Sequence, residues 1–368
     1  MKHVFCIAFA LAACVGTPSP ISFFIDVDVA DTSRPEDTAD ADLTSDTHDD
    51  ASPLDTDMSE TIDTSAPVTC NPFDPSSVTL VIPEGDEVLP QTFLHLSVTG
   101  PGTACVAGYR WSVGQPTGSV STFIPSSLVP SPALEANIIG VYTFGVELTG
   151  PEGQRLVTLT KEVVAAPGAA LRVELIWNTP TTSDASDTDP TGGNLDLHFA
   201  HELAQSDYDG DGDGRADPWF DKVYDTFWYN KQPNWGYLAP GVDDDPSLDR
   251  DDPDGDGPEN VNLALGESGV TYHVGVHYWA ANGLGPSFAT VRIYSYGVLI
   301  FEQADVELHE HDLWWVTDLT WNLSPSAAPT ASRTCAGTTD PCTTDAECTT
   351  TCVLRITPNY VPPFFAPY

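Results

Sequence analysis

Short runs of alternating apolar residues, separated by proline, glycine and serine, recur along this 368-residue chain and constrain its fold more than any other feature. Alternation places Tyr109, Trp111 and Val113 on one face of a strand in the segment YRWSV. Such runs predict strands at Val78–Ile82, Phe93–Val98, Tyr109–Val113, Val141–Leu148 and Leu156–Val164. Regular spacing of short strands is typical of a β-sandwich, here over residues 69–166.

A second and larger β-domain is predicted over residues 167–325, where no long amphipathic helical pattern is found. Its strands are expected at Leu171–Trp177, Asn194–Ala200, Val270–Tyr278, Ala289–Tyr296, Val298–Glu302 and Trp314–Leu323. Residues 326–368 form a Cys-rich tail that is too small for a core of its own. Its aromatic end is expected to pack on the second domain, the alternative being contact with a partner. The chain is therefore predicted to be all-β, with two tandem sandwiches.

The N-terminal segment has the pattern of an export signal. Lys2 precedes an apolar run, Val4–Ala13, which is too short to span a membrane as a mature helix. Leu11-Ala12-Ala13-Cys14 resembles the bacterial lipobox, so residues 1–14 are predicted to be a lipoprotein signal peptide with its lipobox. The resemblance implies that Cys14 is lipidated and becomes the new N-terminus after cleavage. An ordinary secretory signal is the alternative. Val15, where inner-membrane lipoproteins often carry aspartate, favours the outer membrane, with the protein facing the periplasm or the cell surface.

The charge of the chain limits its partners. Asp and Glu number 54 against 13 Lys and Arg, a formal net charge of −41. Nucleic acid and anionic lipid are polyanions and are excluded as partners, so that membrane contact is expected through the lipid alone. Residues 15–68 are mostly Asp, Thr, Ser, Ala and Pro, and they are predicted to form a disordered, extended linker.

Six cysteines remain after Cys6 and Cys14 are set aside, an even number that suits disulfides in an oxidising compartment. Cys70 and Cys105 are the expected pair in the first domain. The spacing of the last four fits no zinc pattern well, and their pairing stays open. Those four are Cys335, Cys342, Cys348 and Cys352.

Two resemblances to families add to this architecture. The segments GYRWSVGQP and GVYTFGVELTGPEG resemble the PKD-type immunoglobulin-like repeat, which implies that Trp111 packs in a core and that the module is a spacer or adhesion unit. The segments LDLHF, PNWG, DDPSLD, DGDGPENVNL and YHVGVHYWAANGLGPSFATVRIYSYGVLIFE resemble an uncharacterised sandwich domain of bacterial surface proteins. Two departures from that family add carboxylates: the segment DYDGDGDGRADPWF, and Asp256 where an aromatic residue is commoner.

The segment DYDGDGDGRADPWFD, residues 207–221, has the spacing of a calcium loop. Alternate carboxylates, glycines that let the backbone turn, and a carbonyl two residues after the last of three aspartates suit an ion that takes six to eight oxygens. Phe220 stands where an EF-hand has glutamate, and the pattern resembles a thrombospondin type 3 repeat more closely. A solvated acidic loop is the alternative. The predicted ligands are Asp207, Asp209, Asp211, Asp213, the carbonyl of Arg215, Asp217 and Asp221.

A second stretch repeats this spacing. Asp252, Asp254, Asp256 and Asn260 are the predicted calcium ligands, with Asp249 and Glu259 near enough to complete the site. Asp196, on a predicted strand, can reach either loop or be hydrogen-bonded where it stands. A rigid acidic turn is the alternative for the whole stretch.

The histidines do not form a convincing catalytic zinc site. His201-Glu202 lacks the second histidine of the H-E-x-x-H motif, and His273 and His277 are too far apart on one strand to share a metal. His309 and His311 are close enough to chelate, and a metal-dependent hydrolase built on them is the less favoured alternative. No nucleophile elbow and no free cysteine are found. The chain is therefore predicted not to be an enzyme.

Aromatic residues cluster just after the first acidic loop. Trp228, Tyr229 and Trp235 have the ring systems that stack on sugars, and Trp219 and Tyr237 lie near them. A loop that packs its own aromatic side chains over the sheet is the alternative. The favoured function is that of a calcium-stabilised, structural or adhesive surface lipoprotein whose ligand is a glycan or a protein; a carbohydrate-binding module is the second candidate.

Overall fold

A computed structural model describes residues 70–183, 192–236, 243–253, 255–321, 328–334, 341–342 and 354–362. They belong to one compact unit, Ser65–Tyr368. The described residues form β-strands and loops, with two short 3-10 helices at Pro75–Ser77 and Pro101–Cys105. The predicted all-β fold is confirmed. Cys14 and the predicted linker lie outside the described residues.

The first sandwich contains eight strands among the described residues. They are β1 Thr79–Val81, β2 Glu87–Val88, β3 Thr92–His95, β4 Ser97–Thr99, β5 Gly108–Gly114, β6 Ala133–Ala136, β7 Gly140–Thr149 and β8 Arg155–Ala165. A four-stranded sheet has the order β2-β8-β7-β5, and the pairs β1-β4 and β3-β6 form the remaining small sheets. All five strand runs predicted for residues 69–166 are found in this part of the structure.

Trp111 lies in the core of this sandwich, as predicted. It is 3% exposed, and its Nε1 donates to the Val129 carbonyl at 2.9 Å. The side chains of Tyr142, Phe144 and Val146 from β7 pack with it. Cys70 and Cys105 form the predicted disulfide. The disulfide ties the start of the described chain to the second 3-10 helix, beside the core.

The second sandwich contains twelve strands within the described ranges. They are β9 Leu171–Asn178, β10 Asn194–His201, β11 Asp225–Thr226, β12 Pro246–Arg250, β13 Glu259–Leu263, β14 Thr271–Ala280, β15 Ser287–Ser295, β16 Val298–Leu308, β17 Leu313–Thr320, β18 Thr330–Thr334, β19 Pro341–Cys342 and β20 Arg355–Thr357. A five-stranded sheet has the order β12-β13-β9-β15-β16. A seven-stranded sheet has the order β11-β10-β14-β17-β18-β19, and β20 also pairs with β17.

The core of the second sandwich lies between these two sheets. Val173 and Leu175 of β9 pack with residues of the facing sheet such as Leu197, Phe199 and Val276, all of them fully buried. Alternation along each strand sends every second side chain into this layer and leaves the others on the outer faces. The outer face of β10 and β14 is therefore free to take another layer of side chains.

The described parts of the Cys-rich tail join the second sandwich. β18 and β20 pair with different parts of β17, so the tail extends an existing sheet. Tyr360 is fully buried, in agreement with the expectation that the aromatic end packs on this domain. Cys342 is disulfide-bonded, as predicted, although the other three cysteines of the tail lie outside the described residues. Pairing with β17 stabilises the tail, which is too small to have a core of its own.

Buried polar contacts join the two sandwiches. The Ile139 N–H donates to Glu174 Oε2 at 3.1 Å, and Arg250 Nη1 lies 3.0 Å from Glu135 Oε1. Burial raises the pKa of Glu174, and the neighbouring Arg172 guanidinium opposes that rise. Each contact matches a donor of one sandwich with an acceptor of the other, which limits the cost of burying these groups.

The outer face of the seven-stranded sheet is covered by the connection between β10 and β12. Trp219, Phe220 and Phe227 of this connection form a third buried cluster with Tyr360 of the tail. Trp219 packs against Gly275 of β14, where a Cβ atom would lie 2.7 Å from Trp219 Cζ3. The absence of a side chain at Gly275 therefore lets the indole ring approach the sheet.

We expect Gly275→Ala to lower the free energy of unfolding by about 1–3 kcal/mol, because the added methyl group displaces Trp219 from the sheet. Gly114→Ala is the matched control, since the nearest atom to a Cβ at this strand glycine is 3.7 Å away. Urea unfolding followed by tryptophan fluorescence measures both. Equal losses in the two variants would contradict the proposed packing.

Candidate metal centre

The first predicted calcium loop brings together three of its carboxylates. Asp209, Asp211 and Asp217 each place an oxygen within 4.8 Å of the other two. Among the described residues, Asp207, Asp213 and Asp221 do not belong to this group. The carboxylate of Asp221 instead accepts the backbone N–H groups of the turn that begins with it, from Val223 and Tyr224, and one from Gln205.

The loop carboxylates are already engaged by their own backbone. Asp209 Oδ2 accepts the Gly214 N–H at 3.0 Å, and Asp211 Oδ1 accepts the Asp213 N–H at 3.0 Å. Asp213 in turn accepts the Arg215 N–H at 2.8 Å. Hydrogen bonds of this kind shape an acidic turn whether or not an ion is bound. Calcium at this loop, including a ligand role for the Arg215 carbonyl, stays a prediction.

Asp217 ties the loop to the tail. It is 5% exposed, and its Oδ2 accepts the Gly210 N–H at 2.7 Å and the Tyr360 hydroxyl at 2.9 Å. Burial raises the pKa of Asp217, and both hydrogen bonds act against that rise. Phe220, the residue at the twelfth position of the calcium pattern, is buried and stacks on Tyr360. Phe220, at the twelfth position of the calcium pattern, thus contributes to hydrophobic packing.

We expect Tyr360→Phe to destabilise the protein by about 1–3 kcal/mol, because the buried Asp217 carboxylate loses a charge-assisted donor. Thermal unfolding of Tyr360→Phe, Asp217→Asn and the double variant measures the coupling between the two groups. Strictly additive effects of the two substitutions would contradict the hydrogen bond.

In the second predicted loop, the side chains that the sequence spacing groups together have separate partners. The Asp256 carboxylate accepts the Thr179 N–H at 3.2 Å and lies 3.5 Å from Asn178 Nδ2, so it fixes the end of β9. Asn260 Oδ1 accepts from Gln91 of the first sandwich. Asp254 lies outside the described residues. Asp256 and Asn260 thus have hydrogen-bond partners on the neighbouring β-structure, and their use as ligands of one ion stays a prediction.

A different acidic group, which we call the acidic centre, is formed by Asp196, Asp251 and Glu259. Each offers a carboxylate oxygen within 4.8 Å of the others. Asp196 alternates with the core residues Leu195 and Leu197 on β10. Asp251 follows β12 and Glu259 begins β13, so the β12–β13 hairpin brings these two carboxylates opposite each other.

Glu259 is held by backbone donors from both sheets. Its Oε2 accepts the Leu197 N–H of β10 at 2.7 Å, and its Oε1 accepts the Asp252 N–H at 3.1 Å. Both oxygens therefore have a partner, and the side chain is 1% exposed. The carboxylate is fixed in position before any ion binds.

Asp196 contrasts with Glu259. It is 2% exposed, and its Oδ2 has no hydrogen-bond partner within the described part of the chain. A buried carboxylate oxygen without a partner carries a desolvation cost that a bound cation offsets. Asp251 is half-buried and accepts from Lys231 Nζ at 2.8 Å, which supplies one positive charge at the rim.

Burial and mutual repulsion disfavour the ionised form of this group. Burial raises the pKa of Asp196 well above its usual range, and the negative charge of Asp251 raises it further. Burial also raises the pKa of Glu259, with the charge of Asp196 as the next cause. A divalent cation between the carboxylates reverses both effects, because it stabilises the ionised form.

The donor set of the acidic centre fits calcium. All three side chains offer oxygen, the ligand atom that calcium takes in sets of six to eight at about 2.3–2.6 Å. Their ligand atoms lie within 4.8 Å of one another, a grouping that could hold a metal ion. Of the metal-ligand groups found within the described residues, neither contains a histidine or a cysteine, which argues for a hard cation over zinc.

A cavity of about 180 Å³ opens beside the acidic centre. Asp196 and Asp251 form part of its lining, and Trp228 and Trp279 face each other there with ring centroids 5.7 Å apart and planes inclined by 62°. Asn194 and Pro253 complete the lining. The cavity thus joins two carboxylates of the centre to an aromatic corner.

The aromatic residues predicted to contact a sugar differ in their exposure to solvent. Trp235 is 1% exposed and packs against Phe199 and Tyr272 in the core, so it is not available to stack on a sugar, and that prediction is wrong. Tyr229 is 56% exposed, and Trp228 is half-buried at the cavity. Trp279 was not among the predicted contacts. It could have been identified from the alternation of β14, because Tyr278 points into the core and its neighbour Trp279 therefore lies on the outer face.

The histidines have structural partners. His201 Nδ1 accepts the Leu203 N–H at 3.1 Å, and its Nε2 lies 3.1 Å from Glu267 Oε1. His309 lies near Asp312 and is exposed. Burial lowers the pKa of His277 to about 3, and its Nε2 lies 2.8 Å from the Tyr360 carbonyl. His201 and His277 thus contribute to the packing of the loops and the tail.

No helix within the described ranges is both long and apolar enough to cross a membrane.

The chain was compared with known proteins by sequence and by fold. No protein-family model and no curated protein matches it. Among solved structures, it is similar to one titled "Structure of Yersinia pseudotuberculosis adhesin InvE", at 13% sequence identity and a TM-score of 0.19. The match covers 71% of this chain and 66% of that one, so it spans slightly less than two thirds of the adhesin chain. A likeness this weak is no guide to function.

Proposed function

We propose that the chain is a non-catalytic surface protein whose second sandwich is stabilised by calcium at the acidic centre. The buried Asp196 Oδ2, which has no partner among the described residues and faces two other carboxylates, carries this proposal. Three carboxylates, one divalent cation and Lys231 give a neutral group. Removal of the cation leaves like charges close together, two of them on buried side chains, which destabilises the fold.

The cellular location is part of the proposal. The Cys70–Cys105 disulfide supports an exported protein, because disulfides persist in oxidising compartments. The lipobox-like sequence at Cys14 supports a lipid anchor on the outer membrane. The acidic segment between Cys14 and the first sandwich then acts as a spacer. Membrane fractionation of Cys14→Ala tests the anchor, since the variant is expected in the soluble fraction.

A structural or adhesive role follows from this arrangement. Calcium affinity is expected in the range of extracellular modules, on the order of 10⁻⁴–10⁻³ M, where the ion is bound outside the cell and lost in calcium-free medium. The ion then orders the β12–β13 hairpin and the strand edge beside it, which are the elements that present the cavity. Calcium at the 207–217 loop remains a second predicted site.

The test is a calcium titration of the purified full chain by calorimetry and thermal melting. At calcium concentrations about 100-fold above Kd, we expect a stabilisation of about 2.7 kcal/mol, which raises Tm by roughly 5 °C. Magnesium should be a poor substitute because it dehydrates reluctantly and demands a stricter geometry.

Asp196→Asn is the decisive variant. It should abolish the calcium-dependent rise in Tm, yet in EDTA it should melt no lower than the wild type, because a buried charge has been removed. Asp305→Asn is the matched control, an exposed carboxylate on β16 of the same sandwich. If Asp211→Asn abolishes the rise and Asp196→Asn does not, the ion lies in the loop. If calcium changes neither heat nor Tm in the wild type, the proposal fails.

A further inference from the structure

Two of the residues that line the cavity beside the acidic centre carry buried hydrogen-bond acceptors. Asn194 Oδ1 is buried and has no hydrogen-bond partner within the described part of the chain, and Asp196 Oδ2 shares both properties. Asp251 adds a third acceptor group to the lining. Buried acceptors of this kind are normally satisfied, so a donor or a cation that reaches these oxygens offsets the cost of burying them.

Calcium at the acidic centre would still have open coordination positions. Glu259 uses both oxygens on backbone donors, and Asp251 also binds Lys231. Three carboxylates supply fewer than the six to eight oxygens that calcium takes unless all of them are bidentate. We place the remaining positions on the side of the cavity, because Asp196 and Asp251 line it. Water or the oxygen atoms of a ligand must fill them.

We propose that the cavity binds one residue of a neutral sugar, whose neighbouring hydroxyl groups coordinate the calcium ion while its ring packs against the Trp228–Trp279 corner. This inference rests on the proposed calcium site and names the class of ligand. Sugar hydroxyls are hard oxygen ligands that also donate to acceptors such as Asn194 Oδ1. The indole rings supply the apolar surface that orients small ligands in such sites.

The size of the cavity and the charge around it favour this class of ligand over others. A volume of about 180 Å³ is below the range of roughly 300–1,000 Å³ typical of drug-sized ligands, which suits a single ring. An anionic ligand is disfavoured by the net charge of −41. An organic ammonium group suits aromatic walls and carboxylates, but the calcium ion repels it. A neutral polyol is repelled neither by the net negative charge of the chain nor by the calcium ion.

The experiment uses the full chain with methyl α-mannoside, methyl β-galactoside and L-fucose as probes, followed by saturation-transfer NMR and tryptophan fluorescence. Binding of at least one sugar is expected in millimolar calcium and is lost in EDTA. Trp279→Ala should weaken it about tenfold or more, equivalent to about 1.4 kcal/mol, with the calcium titration unchanged. Tyr296→Ala, an exposed aromatic residue of the β15–β16 turn, is the control.

Asn194→Ala provides a second variant in case Trp279→Ala fails to fold; it should weaken sugar binding in the same direction. Calcium binding without any sugar binding would overturn the inference and leave the calcium proposal intact. Equal sugar binding in EDTA, or tetramethylammonium binding that calcium displaces, would also overturn it. Absence of calcium binding in the same samples would refute both proposals.

Discussion

The Glu259 carboxylate is the contact on which the arrangement of the acidic centre most depends. It accepts one N–H from β10 of the seven-stranded sheet and another from the β12–β13 hairpin of the five-stranded sheet. β11 pairs only with the end of β10, at Phe199 and Ala200, so the Leu197 N–H would otherwise face an open strand edge. Glu259 satisfies that donor, and in doing so it fixes Asp196 and Asp251 beside a third carboxylate.

This arrangement concentrates negative charge where the chain has least water to screen it. Burial raises the pKa values of Asp196 and Glu259, whereas Asp209 and Asp211 of the 207–217 loop are exposed and accept N–H groups of their own turn. The proposed cation relieves the charge of the acidic centre, while these two loop carboxylates already have backbone partners.

Local sequence patterns predicted the strands well because alternation is a property of neighbouring residues. The Trp111 core position and the Cys70–Cys105 disulfide followed from the same kind of reasoning. Spacing placed Glu259 beside the second predicted loop and Asp196 within its reach. It could not show that these two carboxylates meet Asp251, because the three come together only after the two sheets pack.

The aromatic residues illustrate the same limit. Sequence proximity grouped Trp228 with Trp235, yet Trp235 points into the core and Trp279, from a distant strand, takes the place beside Trp228. The connection between β10 and β12 carries both kinds of residue: its middle covers the outer face of the sheet, over Gly275, and its end reaches the cavity. Packing of this connection therefore determines what the cavity presents.

The central claim is that one divalent cation lies between Asp196, Asp251 and Glu259. A crystal structure of the full chain grown with calcium, with anomalous differences collected at long wavelength, tests it most directly. The account predicts an anomalous peak in contact with an oxygen of all three side chains, including Asp196 Oδ2. A water molecule or the Lys231 ammonium group in that position, with calcium confined to the 207–217 loop or absent, would contradict it.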